Sequence, residues 1–376
     1  MKVTHVQAIP IAYPEPNDDN STRHLLIVRL TADDGQIGWG EAVTMWPEAS
    51  LGTKALVEGL APIVLGRSPL DRRAIWTDIK RHTWWYGEGG LASFALAALD
   101  IALWDLAGKA TNSSVLDLLG GPVHPTLPAL ISCHANLSDH DAMTDQMAQW
   151  VSSANAVGIK VALGKRGAAG LGTDLKRDLH FLRLLRQKLG PQPQIMIDVA
   201  ATLNWSVRDA ITRTQAFEES DISWIEEPLG ANNPVGYAEL RSRTRTHIAY
   251  GEREWTVAGI RRIVATGTVD VVGIDPGRCE GITGFIAAAE HIRGAGRQVN
   301  AHAWSSAIVT AASVALSLAT DCCKQIEIKP LPSPPQHELV TAPIEQIDGL
   351  IHQPTNPGLG ITVNEEALER YRYTSR

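Results

Sequence analysis

Gln194-Ile-Met-Ile-Asp198, Ser223-Trp-Ile-Glu226 and Ile248-Ala-Tyr-Gly-Glu252 are three short apolar runs, each closed by an acid. The acids stand at steps of 28 residues (198 to 226) and 26 residues (226 to 252). One strand–helix unit of a parallel barrel is about that long, since ~250 residues are shared among eight units. Successive strands of such a barrel end side by side on one rim. Three carboxylates gathered there repel one another unless a cation lies between them. Oxygen donors alone favour a hard divalent ion, so Asp198, Glu226 and Glu252 are the candidate ligands of Mg²⁺ or Mn²⁺.

Working outward, the same alternation extends over most of the chain. Candidate strands fall at 129–134, 159–163, 195–199, 224–226, 248–252, 271–275, 298–302 and 325–328, with helical stretches between most of them. Eight apolar strands in that rhythm predict a parallel barrel over 126–342. An open doubly wound sheet is the alternative, but no Gly-x-Gly-x-x-Gly turn follows an early strand. Residues 1–125 read differently. Strand-like runs at 3–12 and 25–31 and a glycine-rich, hairpin-like segment at 35–41 precede an alanine- and leucine-rich helix at 92–109, an α+β pattern. The segment 343–376, with Pro357-Gly-Leu-Gly360, is expected to run back onto this first domain.

Composition excludes several function classes. The 376 residues carry a net charge of −7 and no long basic run, which argues against nucleic acid as a partner. No apolar stretch of about 18 or more residues is expected to span a membrane. Met1–Ile9 alternates like a strand and lacks the apolar core of a signal peptide. Cys133, Cys279, Cys322 and Cys323 have neither metal-ligand spacing nor a disulfide framework, so a cytoplasmic location is expected. The expected partner is a small-molecule carboxylate, and a homo-oligomer is expected.

The later strands also end in polar residues. Asp275, His302 and Glu327 follow Glu252 at steps of 23, 27 and 25 residues (252 to 275, 275 to 302, 302 to 327). Asp275 and His302 should therefore be rim neighbours, a carboxylate orienting an imidazole that carries protons near neutral pH. On the other flank the second strand offers Lys160, with Lys165 and Arg166 close behind. A cation flanked by a lysine and a His–Asp pair suits removal of the proton next to a carboxylate, with an enediolate stabilised by the metal as Lewis acid. The use of a Lys or His base with Mg²⁺ is already established for the enolase superfamily.

The chain resembles the mandelate racemase subgroup of the enolase superfamily over nearly its whole length. The matching residues are Ala98-Leu-Asp-Ile-Ala-Leu-Trp-Asp-Leu-Ala-Gly-Lys109, Leu118-Leu-Gly-Gly121, Trp224-Ile-Glu-Glu-Pro228, Gly251-Glu252, Asp275-Pro-Gly-Arg278, His302-Ala-Trp304 and Pro357-Gly-Leu-Gly360. The resemblance implies an α+β capping domain over a modified (β/α)₇β barrel. It also implies Mg²⁺ held by Asp198, Glu226 and Glu252, His302 as acid/base supported by Asp275, and Glu327 on the substrate-carboxylate side. The capping loop around 14–23 would close over the substrate.

Two departures stand out. The family's Lys-x-Lys on the second strand is absent: with Lys160 as the first lysine, Ala162 stands where the second belongs, and with Lys165 as the second, Leu163 stands where the first belongs. The other departure is Glu280, where the family usually carries glycine. His134 ends the first barrel strand and is read either as a substrate contact or as a core histidine. Trp304 and Trp84-Trp85-Tyr86 are read as packing or lid aromatics, and Glu227 as a supporting or capping residue rather than a ligand. One strong acid/base with a weakened opposite face suits dehydration of a sugar acid to a 2-keto-3-deoxy acid. A racemase or epimerase of a 2-hydroxy acid is the alternative, and a metal-binding protein without turnover is a third reading.

Overall fold

The computed structural model describes residues 1–374 except Ala200, Ala303 and Pro354, with Ala201 described in its backbone only. Ala303, inside the His302–Trp304 motif, therefore lies outside the described residues.

The chain opens with three antiparallel strands in the order β1 (Val3–Glu15), β2 (Ser21–Ala32) and β3 (Ile37–Met45). Helices α1 (Pro47–Val64), α2 (Arg72–Thr83) and α3 (Leu91–Thr111) follow, then the short α4 (Val115–Leu118). The glycine-rich segment read as a hairpin is mostly strand. Its glycines serve a close approach: a Cβ on Gly40 would overlap the Ala98 carbonyl of α3, and one on Gly38 the Ala102 carbonyl. α3 thus lies flat on β3, and its alanines make that contact shallow enough. α3 is also long and apolar enough to cross a membrane, which corrects the expectation of no such stretch; here Ala92–Gly108 are all buried.

Eight parallel strands form the barrel: β4 (Thr126–His134), β5 (Gly158–Leu163), β6 (Gln194–Val199), β7 (Ile222–Glu226), β8 (His247–Tyr250), β9 (Val271–Ile274), β10 (Gln298–Ala301) and β11 (Ile326–Ile328). They pair in chain order from β4 to β10, and β11 returns to β4. A bridge between Val299 and Cys323 brings the last two strands together, so the sheet closes nearly into a ring. This excludes the open-sheet alternative. The seven intervening helices are α5 (His140–Ser153), α6 (Leu175–Leu189), α7 (Val207–Phe217), α8 (Pro234–Arg243), α9 (Val257–Ala265), α10 (Gly281–Gly294) and α11 (Ala307–Leu318). Leu130, Met196, Trp224, Ala249 and Val271 pack together in a separate cluster. They plug the barrel beneath the polar rim, as expected for a filled interior.

After α12 (Pro334–His337) the tail first adds β12 (Leu350–His352) antiparallel to β4. It then crosses to the first domain. Leu359 N–H donates to Asp105 Oδ1 at 2.8 Å, and Tyr373 N–H donates to the Pro10 carbonyl at 2.8 Å. α13 (Glu365–Arg370) completes this strap.

Candidate active site

Side chains alternate across a strand, so residues two apart share a face. The plug residues Leu130, Met196, Trp224 and Val271 therefore set the parity of the barrel interior. Counting on from them by twos reaches Ser132 and His134, Asp198, Glu226, and Gly273 and Asp275. Register agrees, since Ala162, Asp198 and Glu226 lie opposite one another on β5, β6 and β7. Glu252 breaks the parity: β8 ends at Tyr250, and Glu252 lies two residues beyond it. Gly251, at φ +139°, turns the chain there, and a Cβ on it would come within 2.8 Å of the Gly273 carbonyl. Asp275 and His302 likewise follow the last residues of β9 and β10 rather than lying within them.

His134, Lys160, Lys165, Asp198, Glu252, His302 and Trp304 line one pocket of about 100 Å³ beneath the capping domain. His302 Nδ1 stands 2.9 Å from Asp275 Oδ2, and Nε2 stands 3.8 Å from Glu252 Oε2. Asp275 is buried and also accepts Gly277 N–H at 2.8 Å and pairs with Arg278 Nε at 3.1 Å. The imidazole is thus held on one nitrogen while the other faces the pocket.

Lys160 is buried between two carboxylates, with Nζ 2.7 Å from Glu226 Oε2 and 2.6 Å from Glu327 Oε1. Burial alone would lower its pKa, but Glu226, Glu327 and Asp198 outweigh that and hold the ammonium charged well above its usual range. Paired in this way, Lys160 holds its charge between the two carboxylates. Lys165 has no hydrogen bond or ion pair among the described residues, and its charge acts on both Glu252 and His134. Both lysines therefore reach the pocket, in different roles.

Glu327 also accepts Asn300 Nδ2–H at 2.6 Å, and its Oε2 lacks a partner among the described residues. Burial raises the Glu226 carboxyl to about 8, with Asp198, Glu327 and Glu252 adding repulsion against the pull of Lys160. Burial would raise Glu252 too, but Arg278, His302, Lys165 and Lys160 hold it down to about 2. Glu227, at φ +46°, turns away from the pocket lining and pairs with Arg253 at 2.5 Å.

Among the described residues no three His, Cys, Asp or Glu side chains stand close enough to hold a metal ion. Glu226 is turned onto Lys160 instead. The donor chemistry nonetheless fits a hard divalent cation: three carboxylates on consecutive strand ends, whose mutual repulsion helps raise Glu226. Asp198, Glu226 and Glu252 are the residues that would hold it.

Over the pocket, the Pro16–Asp18 turn and Arg23 come down from the capping domain. Asp18 Oδ1 lies 3.1 Å from His134 Nδ1, and Asp18 Oδ2 lies 2.9 Å from Arg23 Nη2. His134 stacks on Trp304 at 4.7 Å, so it is neither isolated nor a plain core histidine. Arg166, which follows Lys165, lies outside the pocket lining, half exposed and 3.6 Å from Asp18. Trp84, Trp85 and Tyr86 are exposed rather than packed, Trp85 to 79%. Asp18, Arg23, Arg278 and Asn300 escaped the reading of the chain. Arg278 and Asn300 were within reach of it, through the Asp275–Arg278 motif and the parity with His302. Asp18 and Arg23 lie in the 14–23 loop expected to close over the substrate, but nothing local marks the contact of Asp18 with His134, over a hundred positions away.

Residues 142–367 match the family described as enolase C-terminal domain-like, and residues 11–120 match the mandelate racemase / muconate lactonizing enzyme N-terminal domain. The chain belongs to the enolase superfamily. L-rhamnonate dehydratase of Saccharopolyspora erythraea is 30% identical over 355 residues, covering 93% of this chain and 85% of the relative. D-galactarolactone cycloisomerase of Agrobacterium fabrum is 27% identical over 356 residues, covering 92% and 91%. The crystal structure of an enolase from Bradyrhizobium complexed with magnesium and mandelic acid superposes with a TM-score of 0.86 at 25% identity, covering 99% of each chain. Relatives within the superfamily thus include sugar-acid dehydratases and cycloisomerases, and a structural neighbour binds magnesium.

Proposed function

We propose that this enolase-superfamily member is a Mg²⁺-dependent hydro-lyase that dehydrates a sugar acid to a 2-keto-3-deoxy acid. The observation that carries the reading is the His302–Asp275 contact at 2.9 Å, which leaves Nε2 facing the pocket beside Glu252. A bound Mg²⁺ on Asp198, Glu226 and Glu252 would supply stabilisation of the negative charge that develops on the substrate carboxylate. Lys165, in its neutral amine form, takes the proton from the α-carbon. His302 Nε2 delivers a proton to the β-hydroxyl, which leaves as water, and the resulting enol tautomerises to the keto acid. Asp275 keeps the imidazole oriented through Nδ1. Lys160 and Glu327 form a fixed charged floor beneath the reacting atoms.

The relatives support this class through the dehydratase of S. erythraea. A second reading, proton transfer without water loss, is favoured by the unpaired Lys165. Lys165 follows β5 and His302 follows β10, and going round the ring through β4 and β11 they are three strand places apart. Two proton carriers across the pocket suit an epimerase, or an isomerase of the kind that the A. fabrum relative is named for.

The test is a panel of mono- and diacid sugars with Mg²⁺ in D₂O, followed by NMR and a keto-acid assay. Keto-acid formation, abolished by EDTA and restored by Mg²⁺, is expected. Deuterium entering the α-carbon with no keto acid would transfer the assignment to the isomerase reading. No change in any substrate would leave a protein without turnover and overturn both.

A further inference from the structure

Asp18 is a buried carboxylate just behind the pocket lining, carried by the capping domain and in contact with Arg23 and His134, which line it. Its Oδ2 accepts Arg23 Nη2–H at 2.9 Å, Arg23 Nε–H at 3.2 Å and Ser21 Oγ–H at 2.8 Å, while Arg166 Nη1 stands 3.6 Å away. Its Oδ1 stands 3.1 Å from His134 Nδ1. The Arg23 guanidinium lies 4.7 Å over the Trp304 ring, and Arg23, His134 and Trp304 all line the pocket with His302. One carboxylate thus occupies the place where two guanidinium groups and an imidazole converge.

The turn that carries Asp18 is bolted down. Asn17 Nδ2–H donates to the Leu331 carbonyl at 2.8 Å, Leu331 N–H donates to Asn17 Oδ1 at 2.9 Å, and the neighbouring Glu15 pairs with the buried Lys329 at 2.6 Å. The other cations of the pocket are also matched, Arg278 by Asp275 and Lys160 by Glu226 and Glu327. Of the lysines and arginines lining it, Lys165 alone has no carboxylate at ion-pair distance among the described residues, and it faces Glu252 at the reacting end.

We propose that Asp18 is a built-in counter-ion that neutralises the distal end of the pocket and restricts the enzyme to sugar acids with a single carboxylate. A distal hydroxyl can share hydrogen bonds with Arg23 and His134. A second substrate carboxylate meets cations already satisfied, and an ionised Asp18 that repels it. The proposal rests on the reading of this pocket as a sugar-acid site, and its test separates the two.

Binding of galactonate against galactarate, and of gluconate against glucarate, is measured with Mg²⁺-loaded protein, each pair differing only at the distal carbon. The wild type is expected to favour the monoacid of the better-bound pair at least tenfold. Asp18→Asn, which keeps the side-chain volume and frees the cations, is expected to shift that ratio at least tenfold toward the diacid. A wild type that binds the diacid equally well or better overturns the proposal without recourse to the variant. A folded Asp18→Asn protein whose ratio moves less than twofold also overturns it, and leaves the sugar-acid reading standing. Failure of all four ligands to bind either protein removes the sugar-acid reading and the proposal together.

Discussion

His302 gives one ring nitrogen to Asp275 and the other to the pocket, so the two residues fail differently when changed. His302→Asn is expected to lower kcat by about 10²–10⁴, the range for loss of a general acid or base, with little change in unfolding free energy. Asp275→Asn is expected to lose activity to a similar degree, and also about 3–5 kcal/mol of stability, because it leaves the partly buried Arg278 without its charge partner. Steady-state kinetics and urea unfolding on both variants check this. The two lysines separate in the same way. Lys160→Met strands Glu226 and Glu327 in the barrel and is expected to cost about 3–5 kcal/mol in urea unfolding. Lys165→Met touches no ion pair and is expected to stay within about 0.5 kcal/mol of wild type while kcat falls about 10²-fold or more. Unchanged turnover in Lys165→Met would assign the α-proton to another group.

At the scale of elements, the loop into α10 accounts for the departure at Glu280. The residue adopts φ +58°, a left-handed conformation, which is the physical reason a glycine suits this position. Glu280 holds it while its buried carboxylate accepts from Lys80 Nζ of α2 at 2.7 Å, and its carbonyl accepts Trp76 Nε1–H at 2.9 Å. The side chain therefore links a capping helix to a barrel helix. Lys80→Met is expected to destabilise the protein by about 3 kcal/mol, because the buried carboxylate remains without its cation. Glu280→Gly removes the same ion pair but also the charge, and relieves a left-handed cost of roughly 1–2 kcal/mol, so its loss is expected to be clearly smaller. Equal shifts in the two melting transitions would contradict this account. The glycines of β3 make a related point. Gly38 and Gly40 read as turn signals from the chain alone, yet they are where α3 lies on the sheet, a contact that exists only between distant segments.

Across the whole molecule, buried acids fasten the capping domain to its surroundings. Asp105 accepts the N–H groups of Trp39 and Leu359, and Asp100 on α3 accepts the N–H of Thr283 on α10 at 2.8 Å and its hydroxyl at 2.7 Å. Burial pushes the Asp100 carboxyl up to about 7, against the opposing hydrogen bonds from Thr283 and the charge of Arg72. The folded protein therefore holds this proton more tightly than the unfolded chain, and stability from this group is present at low pH. It declines as pH rises from about 4, where the unfolded carboxyl titrates, to about 7. Asp100→Asn abolishes that titration. The difference in unfolding free energy between wild type and variant is expected to move by about 2–4 kcal/mol in the variant's favour between pH 4 and pH 8. Denaturant unfolding at the two pH values tests it, and a constant difference would show that Asp100 is ionised in the native state at both.

The barrel was legible in the chain because its signal is periodic and local. Each strand–helix unit is a nearly constant length of sequence, so acids at constant steps become neighbours on one rim, and alternation by twos points them inward. That reasoning brought Asp198, Glu226, Asp275, His302 and Glu327 to the same end of the sheet. Only the tertiary structure decided how the charges pair. Lys160 lies equally near the triad in any reading of the sequence, but across a closed barrel it sits between Glu226 and Glu327. The contacts of Asp18 with His134 and Arg166 are likewise silent in the chain, because those partners lie far along it. Ion pairing depends on distances of a few ångströms through a low-dielectric interior, and such distances are properties of the closed ring and the loop bolted over it.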